Sequence, residues 1–375
     1  MILFQVKPTI ENIDEEYKVH DKSFLLYLYI SLTKLLFFLT IVFRDICALF
    51  TSKKNDKKLN HLDIEPTNIC TANCVFCAYQ YQEGKFYKKI DDDFVDRLVD
   101  SFCSAGGGDI GLTPIVGDPL VSPDIVKLVS KCRSRKEINQ IGLTTNGHLL
   151  TSEKFIELRD AGITNIVISM TYPDEKEYKT IYRSTQYKQL IDNLNKLMLI
   201  DKKQVNIALA IRTPRLFWGN NPLFKKAKLQ GWEITRNLFF DDWSGSVTDG
   251  LKKNHLLKRP LRGKHLPCTM LQSGPHAMAS GKITACGCRD LEGKSELSDP
   301  KLFAPFYESA SLEKVYYGTM DTLRNRFLNG TLPTICATCR HYNPEYRFAS
   351  LKDKLIQICA DLKAGLHFIF VPDCD

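Results

Sequence analysis

Three cysteines that lie within eight residues of one another have the types and spacing to hold one iron–sulfur cluster. They are Cys70, Cys74 and Cys77, in the run Asn68-Ile69-Cys70-Thr71-Ala72-Asn73-Cys74-Val75-Phe76-Cys77. A [4Fe–4S] cubane has four irons and needs four ligands. Three thiolates would leave one iron open, and an open metal position can coordinate a small molecule. The alternatives are three buried thiols or a zinc knuckle, although zinc sites usually show paired CxxC motifs and a histidine.

The C-x3-C-x2-C spacing resembles the signature of the radical S-adenosylmethionine (SAM) superfamily. The resemblance implies a SAM-binding [4Fe–4S] cluster whose open iron chelates the amino and carboxylate groups of SAM. It places Phe76, the aromatic residue before the last cysteine, near the adenine. It also implies a reductant such as flavodoxin or ferredoxin, and a reducing cytosol.

The middle of the chain alternates between strand-like and helix-like runs, which predicts an α/β fold with a parallel sheet. Strands are expected at 61–65, 109–116, 139–145, 164–170, 204–211 and 232–240. Helices are expected at 93–104, 122–134, 152–161, 187–200 and 222–230. The family resemblance implies a partial (β/α)6 TIM-like barrel. The cysteine loop follows the first strand, where functional loops of such barrels lie.

Polar turns after the next strands resemble SAM-contacting motifs of the same family. The turn Gly117-Asp118-Pro119 resembles its Gly-Gly-Glu-Pro motif, which receives the SAM amino group; Val116 replaces the first glycine and aspartate replaces glutamate. Without the resemblance, it is a plain turn. The resemblance further implies cofactor contacts by Asn146, Ser169 and Arg183.

Two further features at strand ends could face the same cavity. Arg212 ends the fifth strand, and the turn 241–245, with two acids and Trp243, follows the sixth. Such a turn could bind a polar substrate, and an acidic turn with a packed tryptophan is the alternative. The pattern shows no obvious general base.

A second cysteine set follows the barrel, with the spacing C-x12-G-x4-C and, much later, C-x2-C. Residues 276–286 predict a hairpin and 311–328 a helix. The set resembles the SPASM/twitch extension of radical SAM enzymes, in its single-cluster form. The resemblance implies an auxiliary [4Fe–4S] cluster on Cys268, Cys286, Cys336 and Cys339, with Cys288 as an alternative to Cys286. Structural zinc on the same four thiolates is the other possibility.

Residues 23–43 are apolar nearly all round, with Lys34 at their centre, and a helix is expected over about 23–50. The run is long enough to span a bilayer. Lysines 53, 54, 57 and 58 follow it, which would keep the rest of the chain in the cytoplasm. We therefore predict membrane attachment, spanning or interfacial, on the cytoplasmic face. Packing of this helix on the barrel or on a second subunit is the alternative.

The length of the chain predicts more than one domain, and its net charge bears on the expected partners. The 375 residues are expected to divide into an N-terminal segment (1–58), the radical SAM barrel (59–245), an auxiliary-cluster domain (246–345) and a C-terminal helix with tail (346–375). The net charge of +8 is spread along the chain. No arginine-rich tract with interleaved aromatic residues occurs, so no nucleic-acid partner is expected.

The resemblance implies a radical SAM oxidoreductase that abstracts hydrogen from its substrate. The absence of a recognisable peptide-binding winged helix or second auxiliary cluster favours oxidation of a small polar or glycan-type substrate, with the auxiliary cluster as electron acceptor. The alternative within the class is a maturase acting on a ribosomal peptide or protein side chain. The alternative outside it is a non-catalytic iron–sulfur or zinc-binding protein.

Overall fold

The computed structural model describes residues 22–51, 57–82, 88–215, 218–247, 249–287, 290–291 and 293–370. Its strands are β1 His61–Ile64, β2 Gly108–Gly111, β3 Ile138–Thr145, β4 Asn165–Met170, β5 Asn206–Ile211, β6 Glu233–Arg236, β7 Phe239–Phe240, β8 Leu257–Lys258, β9 His276–Ala277 and β10 Ile283–Thr284. Among the described residues, one sheet has the order β10-β9-β1-β2-β3-β4-β5-β6, and β7 pairs separately with β8. Strands β1 to β6 are parallel. Strand β9 is parallel to β1, and β10 is antiparallel to β9.

The described residues form fourteen α-helices. They are α1 Lys22–Leu49, α2 Asp92–Ser104, α3 Ile125–Arg133, α4 Ser152–Ala161, α5 Glu175–Tyr182, α6 Tyr187–Leu197, α7 Pro222–Leu229, α8 Asp249–Lys253, α9 Thr269–Ser273, α10 Ala304–Ser309, α11 Leu312–Lys314, α12 Met320–Leu328, α13 Thr334–Ala337 and α14 Leu351–Phe370. Leu62 and Ile64 of β1 are fully buried and belong to the same hydrophobic core as Leu98 of α2. The alternate residues His61 and Asp63 are only partly buried and belong to the opposite face.

The predicted α/β fold class with a mostly parallel sheet is confirmed. Two strands differ from their expected ranges. Strand β2 ends at Gly111 instead of continuing to 116, and Pro114, which has no N–H to donate, lies just beyond it. The expected strand 232–240 divides into β6 and β7, because the chain leaves the sheet and β7 pairs with β8. Helix α5 was not predicted.

The residues that follow the barrel contribute strands to the barrel sheet. The predicted hairpin over 276–286 is present as β9 and β10, and β9 extends the barrel sheet beside β1. The predicted helix over 311–328 is present as α11 and α12, joined by a π-helical turn at Val315–Thr319. The division into domains stays a prediction.

The apolar N-terminal helix α1 packs against the C-terminal helix α14 and the edge of the barrel. The ring of Phe37 stacks on that of Phe239 with centroids 3.9 Å apart. The buried guanidinium of Arg262 pairs with Asp45 of α1 and Asp361 of α14. In the part of the chain that the structure describes, no helix is long and apolar enough to cross a membrane.

Candidate metal centre

The loop of Cys70, Cys74 and Cys77 follows β1 at the carboxyl end of the sheet, and the end of α5 holds its backbone. The N–H of Asn73 donates to the carbonyl of Tyr182 over 3.1 Å, and the N–H of Val75 donates to that of Ile181 over 2.9 Å. These two bonds fix the loop from the side opposite its own strand. Helix α5 is therefore part of the candidate site, although the sequence patterns did not reveal it.

A glutamine that follows the loop fixes its inner turn. The Nε2 of Gln80 donates to the carbonyls of Cys74, Val75 and Cys77 over 3.3, 3.3 and 3.1 Å. The guanidinium of Arg183 donates to Oε1 of Gln80 over 2.6 Å. Arg183, predicted to contact SAM, therefore lies beside the glutamine that holds the cysteine turn.

The three thiols of this loop lie within electrostatic range of one another. Burial raises the pKa of Cys70 to about 12, and the nearby Asp118 and Cys77 add to the effect. Burial, Cys77 and Cys70 also raise the pKa of Cys74 well above its usual value, while the charge of Arg212 acts in the opposite direction. Thiols in this state are protonated unless a metal takes them, because metal binding requires the thiolate. The donor set fits a metal centre with a cation beside it.

The turn Gly117-Asp118-Pro119 presses against the cysteine loop. A Cβ on Gly117 would lie 3.0 Å from the carbonyl oxygen of Thr67 and 3.1 Å from that of Ile69, and the residue has φ +136°. The N–H of Asp118 donates to Ile69 over 2.8 Å. Only glycine suits this conformation and this close approach.

The Asp118 carboxylate joins its own turn to the end of β3 and the loop that follows it. It is buried and accepts hydrogen bonds from the hydroxyl of Thr145, from the N–H of Asn146 over 2.7 Å and from the N–H of Leu120 over 3.0 Å. Burial raises its pKa, and these donors act to lower it. Pro119 begins the short 3-10 turn Pro119–Val121 that Asp118 caps. The oxygens of Asp118 are thus engaged within the protein, and contact of this turn with SAM stays a prediction.

Gly117→Ala is expected to destabilise the protein and loosen the cysteine loop. The left-handed backbone strain alone costs about 1–3 kcal/mol, and the new Cβ adds overlap with the backbone of the loop. Urea unfolding would measure the loss. Gly106→Ala is the matched control, because Gly106 has φ +110° but open space around its Cβ. Equal losses of unfolding free energy in the two variants would contradict the close-approach argument.

The loop after β3 reaches the first cysteine. The amide of Asn146 donates to Thr71 Oγ1 over 2.9 Å and to Cys70 Sγ over 3.6 Å. Thr71 Oγ1 lies 2.9 Å from Nδ1 of His148, whose Nε2 bonds the hydroxyl of Tyr178. Asn146 therefore lies beside the first thiol, and a buried imidazole holds Thr71 in place.

His148 is expected to make the cluster-free protein acid-sensitive. Burial lowers its pKa to about 4, against about 6.5 in the unfolded chain. The unfolded state thus binds the proton first as the pH falls through 6.5, and the stability contribution is lost progressively down to pH 4. Between pH 7 and pH 5 this residue should cost about 2 kcal/mol of unfolding free energy. Urea unfolding at both pH values would show it.

His148→Gln is the comparison, since it does not titrate in this range. The variant should be less stable than the wild type at pH 7, because the bonds to Thr71 and Tyr178 are weakened. It should lose less stability between pH 7 and pH 5. The same pH dependence in both proteins would mean that His148 is not the responsible group.

An arginine, a serine and aromatic rings cluster beside the three thiols. The Nε of Arg212 donates to Ser169 Oγ over 2.7 Å, and Ser169 Oγ lies 2.7 Å from the hydroxyl of Tyr182. The guanidinium lies 4.8 Å from the ring centroid of Phe76, and Phe240 lies 5.2 Å from the same ring. The structure thus brings together Phe76, Ser169 and Arg212, which the sequence placed at the ends of different strands.

The second cysteine set also converges. Burial raises the pKa of Cys336, with contributions from Cys286, Cys268 and Cys339. Burial raises that of Cys268 to about 12, with contributions from Cys286 and Cys339. The four predicted ligands therefore lie within electrostatic range of one another. Cys288 lies outside the described residues. In the described ranges, no three His, Cys, Asp or Glu side chains have the geometry to hold a single metal ion.

A lysine and a short helix frame this second set. The ammonium of Lys264 donates to the carbonyl of Ala337 over 3.1 Å. Burial lowers the pKa of Lys264, and the cysteines act to raise it. Helix α13 carries Cys336, and the N–H of Cys339 donates to the carbonyl of Cys336 over 3.3 Å. A positive charge thus lies beside thiols that become anionic when they bind metal.

The turn 241–245 joins the two cysteine sites. The indole N–H of Trp243 donates to the carbonyl of Phe76, next to Cys77, over 2.9 Å. The hydroxyl of Ser244 donates to the carbonyl of Ile335, next to Cys336, over 3.2 Å. The carboxylate of Asp242 pairs with Arg340, next to Cys339, at 2.9 Å. These contacts favour an acidic turn with a packed tryptophan over a turn that binds substrate.

Trp243 and Ser244 both adopt left-handed backbone conformations, with φ of +53° and +56°. Such conformations in non-glycine residues are costly and persist only where the surroundings impose them. Here the surroundings are the two cysteine-bearing loops.

A histidine–aspartate cluster at the amino end of the sheet was not found by sequence reasoning. His61 Nε2 lies 3.1 Å from Asp63 Oδ1, and His276 Nδ1 lies 3.9 Å from Asp63 Oδ2. Burial acts to raise the pKa of Asp63, but His276 and His61 together hold it below its usual range. His61 and Asp63 are two residues apart in β1, so the sequence alone places them on one face of the strand. The partner His276 comes from β9, far along the chain, and no local pattern could have shown it.

This cluster borders a cavity of about 530 Å³. Its lining is mostly polar and charged, with two aromatic side chains: Lys58, Asn60, His61, Asp63, Asp109, Met270, Gln272, Ser273, Tyr316, Arg347 and Phe348. The volume is in the range of small-molecule sites.

Comparisons with known proteins find a family likeness in part of the barrel region. Residues 64–209 match the radical SAM superfamily. Curated relatives include the GTP 3',8-cyclases of Clostridium botulinum, 29% identical over 162 residues, and of Klebsiella pneumoniae, 27% identical over 158 residues. The matches cover 42% and 41% of this chain, and 49% and 47% of the relatives. The chain therefore spans about half the length of the curated relatives it matches.

Solved structures share the fold. BtrN in complex with AdoMet and 2-DOIA superposes with a TM-score of 0.51 at 13% identity, covering 76% of this chain and 94% of BtrN. Streptococcus suis SuiB bound to S-adenosylmethionine gives a TM-score of 0.51 at 15% identity, covering 76% and 73%. At these identities the likeness is one of fold.

Proposed function

We propose that this chain, whose residues 64–209 match the radical SAM superfamily, cleaves SAM reductively on a [4Fe–4S] cluster held by Cys70, Cys74 and Cys77. The observation that carries the proposal is the convergence of these three thiols on one buried loop beside Arg212. When bound, the cluster would supply the electron that splits SAM into methionine and a 5′-deoxyadenosyl radical, which takes a hydrogen atom from the substrate.

The residues around the thiols suit this task. The N–H of Ala72 and the amide of Asn146 both donate to Cys70 Sγ, over 3.4 and 3.6 Å. Bonds to a charged acceptor are stronger than bonds to a neutral one, so both donors favour the thiolate. Phe76, Ser169 and Arg183 are the proposed contacts for the adenosine and carboxylate of SAM, together with the turn at 117–119.

We further propose an oxidation with a second cluster on Cys268, Cys286, Cys336 and Cys339 as electron acceptor. An alcohol substrate would lose one hydrogen atom to the radical, one electron to the second cluster and one proton to a basic group or water. Four thiolates leave no iron vacant, which suits electron transfer. The turn 241–245 supports the coupling, because it contacts the neighbours of Cys77, Cys336 and Cys339.

We propose a small polar or glycan-type substrate rather than a peptide, because the sequence shows no recognisable peptide-binding winged helix or second auxiliary cluster. The cavity beside His61 and Asp63 lies at the amino end of the sheet, away from the cysteine loop, and is not the proposed substrate site. An electron donor such as a flavodoxin or ferredoxin completes the proposal.

Anaerobic reconstitution tests this function. Dithionite-reduced protein should convert SAM to 5′-deoxyadenosine, measured by liquid chromatography, and should carry about eight irons per chain. Omitting dithionite is the control and should stop the reaction. No 5′-deoxyadenosine, together with about four irons or fewer, would instead favour a non-catalytic metal-binding protein.

A further inference from the structure

The helix pair α1–α14 buries several charged and amide side chains and exposes many apolar ones, although Phe38, Ile41, Ile358 and Phe368 are buried as well. Its buried polar residues are Lys34, Asp45, Lys354, Gln357 and Asp361. A helix pair that faces water keeps its charged side chains outside and an apolar stripe towards the core. The outer face of this pair therefore suits surroundings less polar than water.

The buried polar groups are satisfied within the protein. Asp45 and Asp361 both pair with Arg262. The ammonium of Lys354 donates to the carbonyls of Ala48 and Thr51, each over 2.8 Å. The ammonium of Lys34 lies 5.3 Å from the ring centroid of Phe368. Each of these buried charges has a partner inside the protein. The fold therefore stabilises the orientation in which these side chains point away from the outer face.

The outer face is broad and apolar. We call it the helix-pair face, formed by the exposed residues Leu28, Leu32, Leu35, Leu36, Leu39, Phe43, Ile46 and Phe50 together with Leu351, Leu355, Ile356 and Leu362. Phe43 is 70% exposed and Phe50 is 85% exposed. Soluble monomers rarely expose contiguous apolar patches of this kind unless they are interaction sites.

The exposed charged side chains are all cationic among the residues of these helices whose burial is described. They are Lys352, Lys363 and Arg44, the last of which also pairs with Asp45. Of the acidic residues on these helices, Asp45 and Asp361 are buried and Asp353 is half-buried in contact with Ser350. An apolar face with basic residues complements a bilayer that contains anionic lipids. A second copy of the chain would instead bring the same cationic residues towards one another.

We propose that the helix-pair face lies on the surface of a membrane, with its leucines and phenylalanines in the boundary between headgroups and acyl chains and its basic residues at anionic headgroups. The face is formed by both ends of the chain, so attachment would hold the barrel at the bilayer surface. The proposal is independent of the SAM chemistry, and its failure would leave that chemistry untouched.

Vesicle flotation with the full chain tests the proposal. The protein should float with vesicles of phosphatidylcholine mixed with anionic phosphatidylglycerol, and less with phosphatidylcholine alone. The double variant Leu36→Gln, Phe43→Gln should bind at least about tenfold more weakly, because two apolar side chains lose their burial. The matched control is Leu199→Gln, Leu229→Gln, which alters residues 79% and 85% exposed outside this face.

Binding that is lost in the first double variant and kept in the second would support the proposal. Circular dichroism of both double variants, matching that of the wild type, shows that folding is intact. A wild-type protein that fails to float with either vesicle type would overturn the proposal. A second copy of the chain would be the occupant if the wild-type protein is a dimer without lipid and the double variant Leu36→Gln, Phe43→Gln is a monomer. That result would overturn the proposal.

Discussion

Cys70→Ala is expected to abolish reductive cleavage of SAM and to remove one of two clusters. The side chain is one of three proposed ligands on one loop, and Asn146 and Ala72 both donate to its sulfur. Changes to outer-shell partners of a metal already cost about 10–100-fold, so loss of a ligand should lower the rate by at least about a thousandfold. The measurement is 5′-deoxyadenosine formed per chain after anaerobic reconstitution. Iron should fall from about eight to about four per chain.

Cys103→Ala is the matched control for this variant. Cys103 is a half-buried thiol on α2, outside both cysteine sets, so its loss should leave both iron content and SAM cleavage unchanged. A Cys70→Ala protein that keeps the wild-type rate of SAM cleavage would remove the proposed cluster site.

Cys336→Ala should remove the cluster of the second cysteine set and leave that of the first set intact. We expect iron to fall from about eight to about four per chain, because the second set loses a ligand. SAM cleavage without substrate should stay within about threefold of the wild-type rate, since outer-shell changes at the first site cost at most about 10–100-fold and this change is more distant. Turnover of any substrate that the wild type oxidises should stop, because the electron has no acceptor.

The control for this variant is Cys359→Ala, which removes an exposed thiol of α14. It should retain both iron content and turnover. Normal substrate turnover in Cys336→Ala would contradict the role of the second cluster as electron acceptor. Loss of substrate-free SAM cleavage as well would show that the two sites are not separable.

Local patterns predicted the parts of the site that depend on short stretches of chain. The spacing of Cys70, Cys74 and Cys77 lies within one loop, so no tertiary information was needed to group them. The loops with Asp118 and Asn146 follow consecutive parallel strands, and the carboxyl ends of such strands meet at one edge of the sheet. The sequence therefore also indicated that these loops adjoin the cysteines.

Contacts that join distant segments could not be predicted. Helix α5 presents Ile181 and Tyr182 to the cysteine loop, but it has only eight residues, of which five are polar. The packing of His276 beside Asp63 depends on β9 joining β1. Trp243 contacts Phe76 only because β7 leaves the sheet and turns the chain back across the site. Each of these depends on tertiary packing, which local propensity does not encode.

The roles of two predicted residues differ in kind from what their motifs suggested. Asp118 matches the acidic position of a SAM-contacting turn, but its oxygens accept bonds from Thr145, Asn146 and Leu120. Arg183 ends α5 in a left-handed conformation and donates to Gln80. In this structure Arg183 supports the cysteine loop through Gln80, and the Asp118 side chain joins its own turn to the loop after β3. Contacts of both residues with SAM remain proposals.

The central claim is that the Cys70, Cys74 and Cys77 loop leaves one iron of a cubane open to SAM. Electron paramagnetic resonance of the anaerobically reduced Cys336→Ala protein tests it most directly, because that variant should hold only the first cluster. We predict a reduced [4Fe–4S] signal whose g-values shift when SAM is added. A signal that SAM leaves unchanged, or no cubane signal in this variant, would contradict the account.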